Sequence, residues 1–147
     1  MIALPDMQAI ILAAGLGSRM RPLTNDIPKP MVKVGNKLLI DHVLDWFSEA
    51  GIDQCIVNTH YLAELLEAHL SERKTPHITT SHEQELLETG GGIKQALSLL
   101  GDDPFFSANS DTICVNGEAH ALQRLYDVWD DSADALLLLQ PVADATG

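Results

Sequence analysis

Residues 8–13, Gln8-Ala9-Ile10-Ile11-Leu12-Ala13, form a short apolar run that passes at once into Ala14-Gly15-Leu16-Gly17. Six residues are too few for a typical core helix. An apolar stretch without polar alternation, ended by glycine, suits a strand buried on both faces, as in a parallel sheet. The next segments of the chain agree with a strand there. Residues 14–30 are rich in Gly, Pro, Asn and Asp and read as a long loop, a length that in a compact domain marks function. Met31–Val34 and Lys37–Leu39, joined by Gly35-Asn36, predict a small hairpin. Ile40, Val43, Leu44 and Phe47 fall at helical spacing, and Gly51 ends that helix.

The alternation continues to the end of the chain. Strands are expected at Gln54–Asn58, His77–Ser81, Pro104–Ala108 and Ala135–Gln140, with helices at Tyr61–Leu70, Ile93–Leu100 and Glu118–Trp129. Strand and helix in turn predict an α/β fold, a mostly parallel, Rossmann-like sheet with helices on both faces. Ligands of such sheets bind beyond the carboxyl ends of the strands. The loops after Ala13, Ser81 and Ala108 should therefore share one rim, and they hold nearly every unusual residue of the chain.

The 147 residues are the size of one domain. With 46% hydrophobic and 20% charged residues the composition is that of a globular protein. No apolar run is long enough to span a bilayer, and the first residues have no basic flank, so the cytoplasm is the expected location. Cys55 and Cys114 lie in apolar runs and read as small buried hydrophobes. A net charge of −12 argues against nucleic acid or an anionic membrane as partner. Of the nine Lys and Arg, however, Arg19, Arg21, Lys29 and Lys33 crowd one segment and Lys37 comes soon after. An acidic protein that gathers its cations in one loop binds a compact anion there.

That first loop runs Gly15-Leu16-Gly17-Ser18-Arg19-Met20-Arg21-Pro22-Leu23-Thr24-Asn25-Asp26-Ile27-Pro28-Lys29-Pro30. Gly15 and Gly17 permit positive φ and bring N–H groups to bear on a phosphate. A dinucleotide fingerprint would need glycine where Met20 stands, and a P-loop would need Gly-Lys-Ser/Thr, so both are excluded. Pro28 and Pro30 stiffen the backbone around Lys29, which lowers the entropy lost when its ammonium grips an anion. In the second loop, Gly90-Gly91-Gly92 at a helix start leaves room for a planar ring against backbone. In the third, Asn109-Ser110-Asp111, a carboxylate at a strand end suits Mg²⁺, although Asp there is also a common cap or turn former. His60 and His82 fall near the expected rim. His42, His69, His77 and His120 read as surface or half-buried residues, and no pair has zinc spacing.

From Leu12 to Pro30 the pattern Leu-Ala-Ala-Gly-x-Gly-Ser-Arg-x-x-Pro-Leu-Thr-x-x-x-Pro-Lys-Pro resembles the signature of the sugar-1-phosphate nucleotidyltransferase family. The resemblance implies transfer of a nucleotidyl group from a nucleoside triphosphate to a sugar 1-phosphate, with release of pyrophosphate. It implies a nucleotide site of Leu12, Ala13, Ala14, Gly15, Gly17, Ser18, Arg19, Lys29, Glu83, Thr89, Gly90 and Asn109. Arg19 and Lys29 would act on the phosphates, and Asp111 would hold Mg²⁺. Leu87-Glu88-Thr89-Gly90-Gly91-Gly92 is similar to the branch that transfers uridylyl groups to N-acetylmuramic acid 1-phosphate, which points to UTP. Guanylyl-transferring relatives, which use GTP and mannose 1-phosphate, more often have Leu-Gly-Thr-Ala-Gly there. The family runs well beyond this length, and its later part supplies most sugar contacts and a second metal-binding Asp. Residues 1–147 are thus expected to be a nucleotide-binding domain shortened relative to the family. A non-catalytic nucleotide-binding module is the alternative of another class.

Overall fold

The computed structural model describes Leu4 and residues 6–139. Four parallel strands make the main sheet: β1 (Gln8–Leu12), β4 (Gln54–Thr59), β5 (His77–His82) and β6 (Phe105–Asn109), in the order β5-β4-β1-β6. A separate antiparallel pair, β2 (Lys33–Val34) and β3 (Lys37–Leu38), is the expected hairpin. Helices α1 (Leu39–Glu49), α2 (Ala63–Ser71), α3 (Glu88–Leu100) and α4 (Ala121–Asp127) complete the order.

Successive side chains of a strand face opposite ways, and β1 shows what each face buries. Ala9 and Ile11 pack with Cys55 and Val57 of β4 against Val43, Leu44 and Phe47 of α1 and Leu66 and Leu70 of α2. Ile10 and Ile56 pack on the other face against Ala96 and Leu100 of α3. Phe47, Ile10, Ile11 and Leu44 are fully buried, each worth roughly 1.5–3 kcal/mol of transfer free energy. Glycine-led spacing fixes the α3 contact, since Gly92, Ala96 and Leu100 are its buried residues, one helical turn apart.

Polar contacts tie α1 to the end of α2. Arg73 bonds Asp41 and Asp45, Lys37 reaches Asp45, and His69 Nε2 lies 3.0 Å from Asp41. Burial pushes the Asp45 carboxyl up, but the hydrogen bonds from Lys37 and Arg73 outweigh it and hold it below the usual carboxylate range.

Three expectations need correction. The strand foreseen at 135–140 is absent from 135–139, and Gln140 lies outside the described residues. Leu136–Leu139 is apolar enough for a strand but pairs with no strand among the described residues, and its side chains are exposed. Helix α3 begins at Glu88, not Ile93, so the three glycines lie inside its first turns. Helix α4 is shorter than foreseen at both ends, because the His120 side chain caps it and Val128 leaves helical geometry.

Candidate nucleotide site

The chain moves from β1 outward through β4 to β5, then returns to the far side of β1 as β6. The loops after β1 and β6 therefore emerge side by side at the carboxyl ends of neighbouring strands, the crevice in which such sheets bind ligands. Leu12 pairs with Asn109, and the Ser110 amide donates to the Leu12 carbonyl (3.1 Å). This pairing sets the third loop beside the first.

The first loop is folded on itself by backbone and side-chain bonds. Ser18–Met20 and Lys29–Met31 are single 3-10 turns. Gly17 has φ +62, and a Cβ there would stand 3.0 Å from both Lys29 Cβ and Thr24 Cγ2. Thr24, wholly buried, donates to the Gly17 carbonyl (2.7 Å). Tyr61 donates to the Thr24 and Asn25 carbonyls (2.9 and 3.1 Å). Gly17 thus does what its position in the loop suggested, whereas Gly15 does not take positive φ. Gly15 has open space around the place of a Cβ, as a backbone surface open to a ligand would.

This folding brings Lys29 to Asp111, 82 residues later in the chain, and the two form an ion pair. Their side chains keep 25% and 31% exposure, so the pair is open to solvent at the carboxyl end of the sheet. Ser18 and Arg19 are exposed, and Arg19 has no ion-pair partner among the described residues. Thr89, Gly90 and Asn109 are exposed, while Ala13 and Ala14 are buried beneath the loop.

Glu83 departs from the expected picture. Its side chain is wholly buried and satisfied from within. The Ala13 amide donates to Asn58 Oδ1 (2.6 Å), Asn58 Nδ2 donates to Glu83 Oε1 (2.7 Å), and the Leu87 amide donates to Glu83 Oε2 (3.0 Å). The carboxylate is turned toward the protein, behind the crevice. His60 Nδ1 lies 2.8 Å from the Glu83 carbonyl, whereas His82 is half exposed near Glu67. His120, expected at the surface or half-buried, is buried and stacked on Trp46 at 5.3 Å.

The glycines of the second loop are not equivalent. Around Gly90 nothing lies within 4 Å of a would-be Cβ, so a ligand can approach the backbone there. At Gly92 the same atom would stand 2.6 Å from both Asn58 Nδ2 and Glu83 Oε1. Room for a planar ring exists at the first glycine; the third is filled by protein. Glu88, just before them, holds φ +59, a strained conformation for a side chain with a Cβ. Sequence reading missed Asn58, Thr24 and Tyr61. The one signal for them was Asn58 itself, an amide closing an otherwise apolar strand.

Over residues 8–147 the chain matches the nucleotidyl transferase family. It is 47% identical over 145 residues to N-acetylmuramate alpha-1-phosphate uridylyltransferase of Caulobacter vibrioides, a match covering 95% of this chain and 60% of that protein. Over 113 residues it is 40% identical to mannose-1-phosphate guanylyltransferase catalytic subunit beta of Xenopus tropicalis, covering 74% of this chain and 31% of that one. Among solved structures, a UDP-glucose pyrophosphorylase complexed with UDP-glucose superimposes with a TM-score of 0.74 at 22% identity, covering 87% of this chain and 53% of that one. That likeness bears on the fold alone. HddC from Yersinia pseudotuberculosis complexed with GMP-PN gives 0.71 at 28% identity, covering 84% and 55%. With its signature loop and the switch point of its sheet in the same place, the chain belongs to the nucleotidyl transferase family.

Proposed function

We propose that the protein transfers a nucleotidyl group from UTP to a sugar 1-phosphate, N-acetylmuramic acid 1-phosphate, with release of pyrophosphate. The observation that carries the reaction class is the crevice at the carboxyl ends of β1 and β6. There Lys29 and the carboxylate of Asp111 form an ion pair, and the loop that supplies Lys29 also carries the exposed Arg19 and the glycine turn. The choice of UTP and the sugar rests on the Leu87–Gly92 segment and on the 47% identity to the Caulobacter uridylyltransferase.

In this reading Arg19 and Lys29 bind the triphosphate and track its negative charge toward the leaving pyrophosphate. Each charge-assisted contact is worth about 1.5–3 kcal/mol. The sugar phosphate oxygen attacks the α-phosphorus in line, and no protein nucleophile takes part. Positioning and electrostatics supply the catalysis. The uracil lies against the open backbone at Gly90, where N–H and C=O groups can read its edge. A site that leaves such groups unpaired rejects the wrong base.

Asp111 fits a hard divalent cation. Its carboxylate is partly exposed and already pairs with a positive charge, the Lys29 ammonium. Among the described residues no group of three His, Cys, Asp or Glu could hold a metal. Mg²⁺ there would take one carboxylate and complete its shell with phosphate and water oxygens. When bound it neutralises phosphate charge and so assists departure of pyrophosphate.

Competition calorimetry among UTP, GTP, CTP, ATP and dTTP with Mg²⁺ tests the base. UTP binding at least tenfold tighter than GTP is expected, and a preference for GTP overturns the uridylyl reading in favour of the guanylyl branch. Nucleotide binding without pyrophosphate release, when each sugar phosphate is supplied, would instead identify a non-catalytic binding module.

A further inference from the structure

Asn58 and Glu83 are buried polar groups that the proposed reaction does not use. Asn58 is 3% exposed and Glu83 is 0% exposed, in a region where the sheet is otherwise apolar. Burying a carboxylate without partners is costly, so these contacts fix the orientation of every atom involved. The Ala13 amide needs an acceptor and the Glu83 carboxylate needs donors, so the Asn58 carboxamide can point only one way.

The two ends of this chain of bonds are informative. One is the backbone of Ala13, where β1 gives way to the glycine turn. The other is the backbone of Leu87, the residue that opens α3 just ahead of Thr89 and Gly90. Gly92 of the same helix meets the pair so closely that a methyl group has no room. The end of β1 and the head of α3, two backbone segments of the expected nucleotide site, are thus joined through one link of buried hydrogen bonds.

We infer that Asn58 and Glu83 are positioning residues for the nucleoside, fixing the turn after β1 relative to the start of α3. The inference rests on the nucleotide reading of the crevice. Neither side chain touches the ligand. The triphosphate contacts are built differently, on Gly17, Thr24 and the Lys29–Asp111 pair, and do not run through this link. Loosening the link therefore weakens recognition of the nucleoside more than recognition of the phosphates.

Glu83→Gln tests this without changing shape. Its single amide oxygen can accept from Asn58 or from Leu87 but leaves its own NH₂ facing the other donor. UTP affinity should fall at least fivefold by calorimetry, while affinity for inorganic tripolyphosphate stays within twofold of wild type. Gly92→Ala crowds the same pair without removing a polar atom, and should show the same split if Glu83→Gln folds poorly. Equal losses for UTP and tripolyphosphate mean general loosening and overturn the inference, as does unchanged UTP binding. Wild-type protein that binds tripolyphosphate but no nucleoside triphosphate would instead overturn the nucleotide reading, and this inference with it.

Discussion

Three consecutive glycines invite one explanation, flexibility, but at Gly90, Gly91 and Gly92 the structure gives three different ones, and alanine substitution separates them. At Gly92 the new methyl carbon would stand 2.6 Å from Asn58 Nδ2 and from Glu83 Oε1. Neither is the free end of a mobile side chain, because each is buried and hydrogen-bonded. Relief requires either that α3 moves off the sheet or that the Asn58–Glu83 bond breaks. Overpacking of this kind costs about 1–3 kcal/mol, and loss of a hydrogen bond to a charged group about 1.5–3 kcal/mol. Against this stands the gain in helix propensity from glycine to alanine, about 1 kcal/mol. Either cost exceeds that gain at its midpoint, and Gly92→Ala should lose about 1 kcal/mol.

Gly90→Ala has the same propensity gain and no neighbour within 4 Å, so it should be stabilised by up to about 1 kcal/mol. Gly91→Ala meets Leu87 Cβ at 2.8 Å and should fall between the two. Thermal unfolding tracked by circular dichroism reads all three. For a domain of this size about 4 °C accompanies each kcal/mol, so Gly92→Ala should melt about 4 °C below wild type. A Gly92→Ala protein as stable as Gly90→Ala would refute the packing argument, and with it the close approach of α3 to the Asn58–Glu83 pair.

Arg19→Ala and Lys29→Ala should each weaken UTP binding at least tenfold in calorimetry, with stability within about 1 kcal/mol of wild type, since Arg19 is exposed and Lys29 forms only a partly exposed ion pair. Asp111→Asn should have opposite effects with and without metal. Freed from its surface ion pair, worth up to about 1 kcal/mol, Lys29 should bind metal-free UTP up to about fivefold more tightly, while the Mg²⁺ enhancement seen in wild type disappears. His120 donates from Nε2 to the Trp46 carbonyl and accepts at Nδ1 from the Leu122 amide; burial pushes its pKa below the ordinary 6.5 and outweighs the Trp46 hydrogen bond and the nearby Glu49, which raise it. The unfolded chain then takes up the proton first, so stability should decline as pH falls from 6.5 through the folded value, and chemical denaturation should show that decline flattened in His120→Gln.

The first loop was legible because its chemistry is local. Glycine at Gly17, proline on either side of Lys29 and a cation at Arg19 each constrain their own backbone or carry their own charge, and the order of residues alone places them together. The strand and helix alternation was legible for a similar reason, since β1, α1 and β4 repeat their apolar residues at the period of the element they form. Where an apolar run needed a partner to become a strand, as at Leu136–Leu139, periodicity was silent on whether a neighbouring strand existed to pair with it.

The Asn58–Glu83 link shows what kind of information lies outside that reach. Asn58 stands two residues after Ile56 in β4 and so faces α3, and the register pairs it with Leu12, one residue before the amide that it receives. Glu83 directly succeeds the end of β5, which pairs with β4 up to Thr59 and His82. Three strand ends and one helix start must be aligned before the four atoms meet, and a one-residue slip in any register would turn the side chains to the other face. What the sequence does carry is a conflict of preferences: an amide inside a buried strand, a carboxylate with no cation near it, and glycine at the head of an otherwise normal helical stripe. Each is unfavourable alone, and the three become favourable only together, because Gly92 makes the space, Asn58 supplies the donor and Glu83 receives it. Such coincident violations at the ligand end of a parallel sheet are themselves a readable signal of a positioned site.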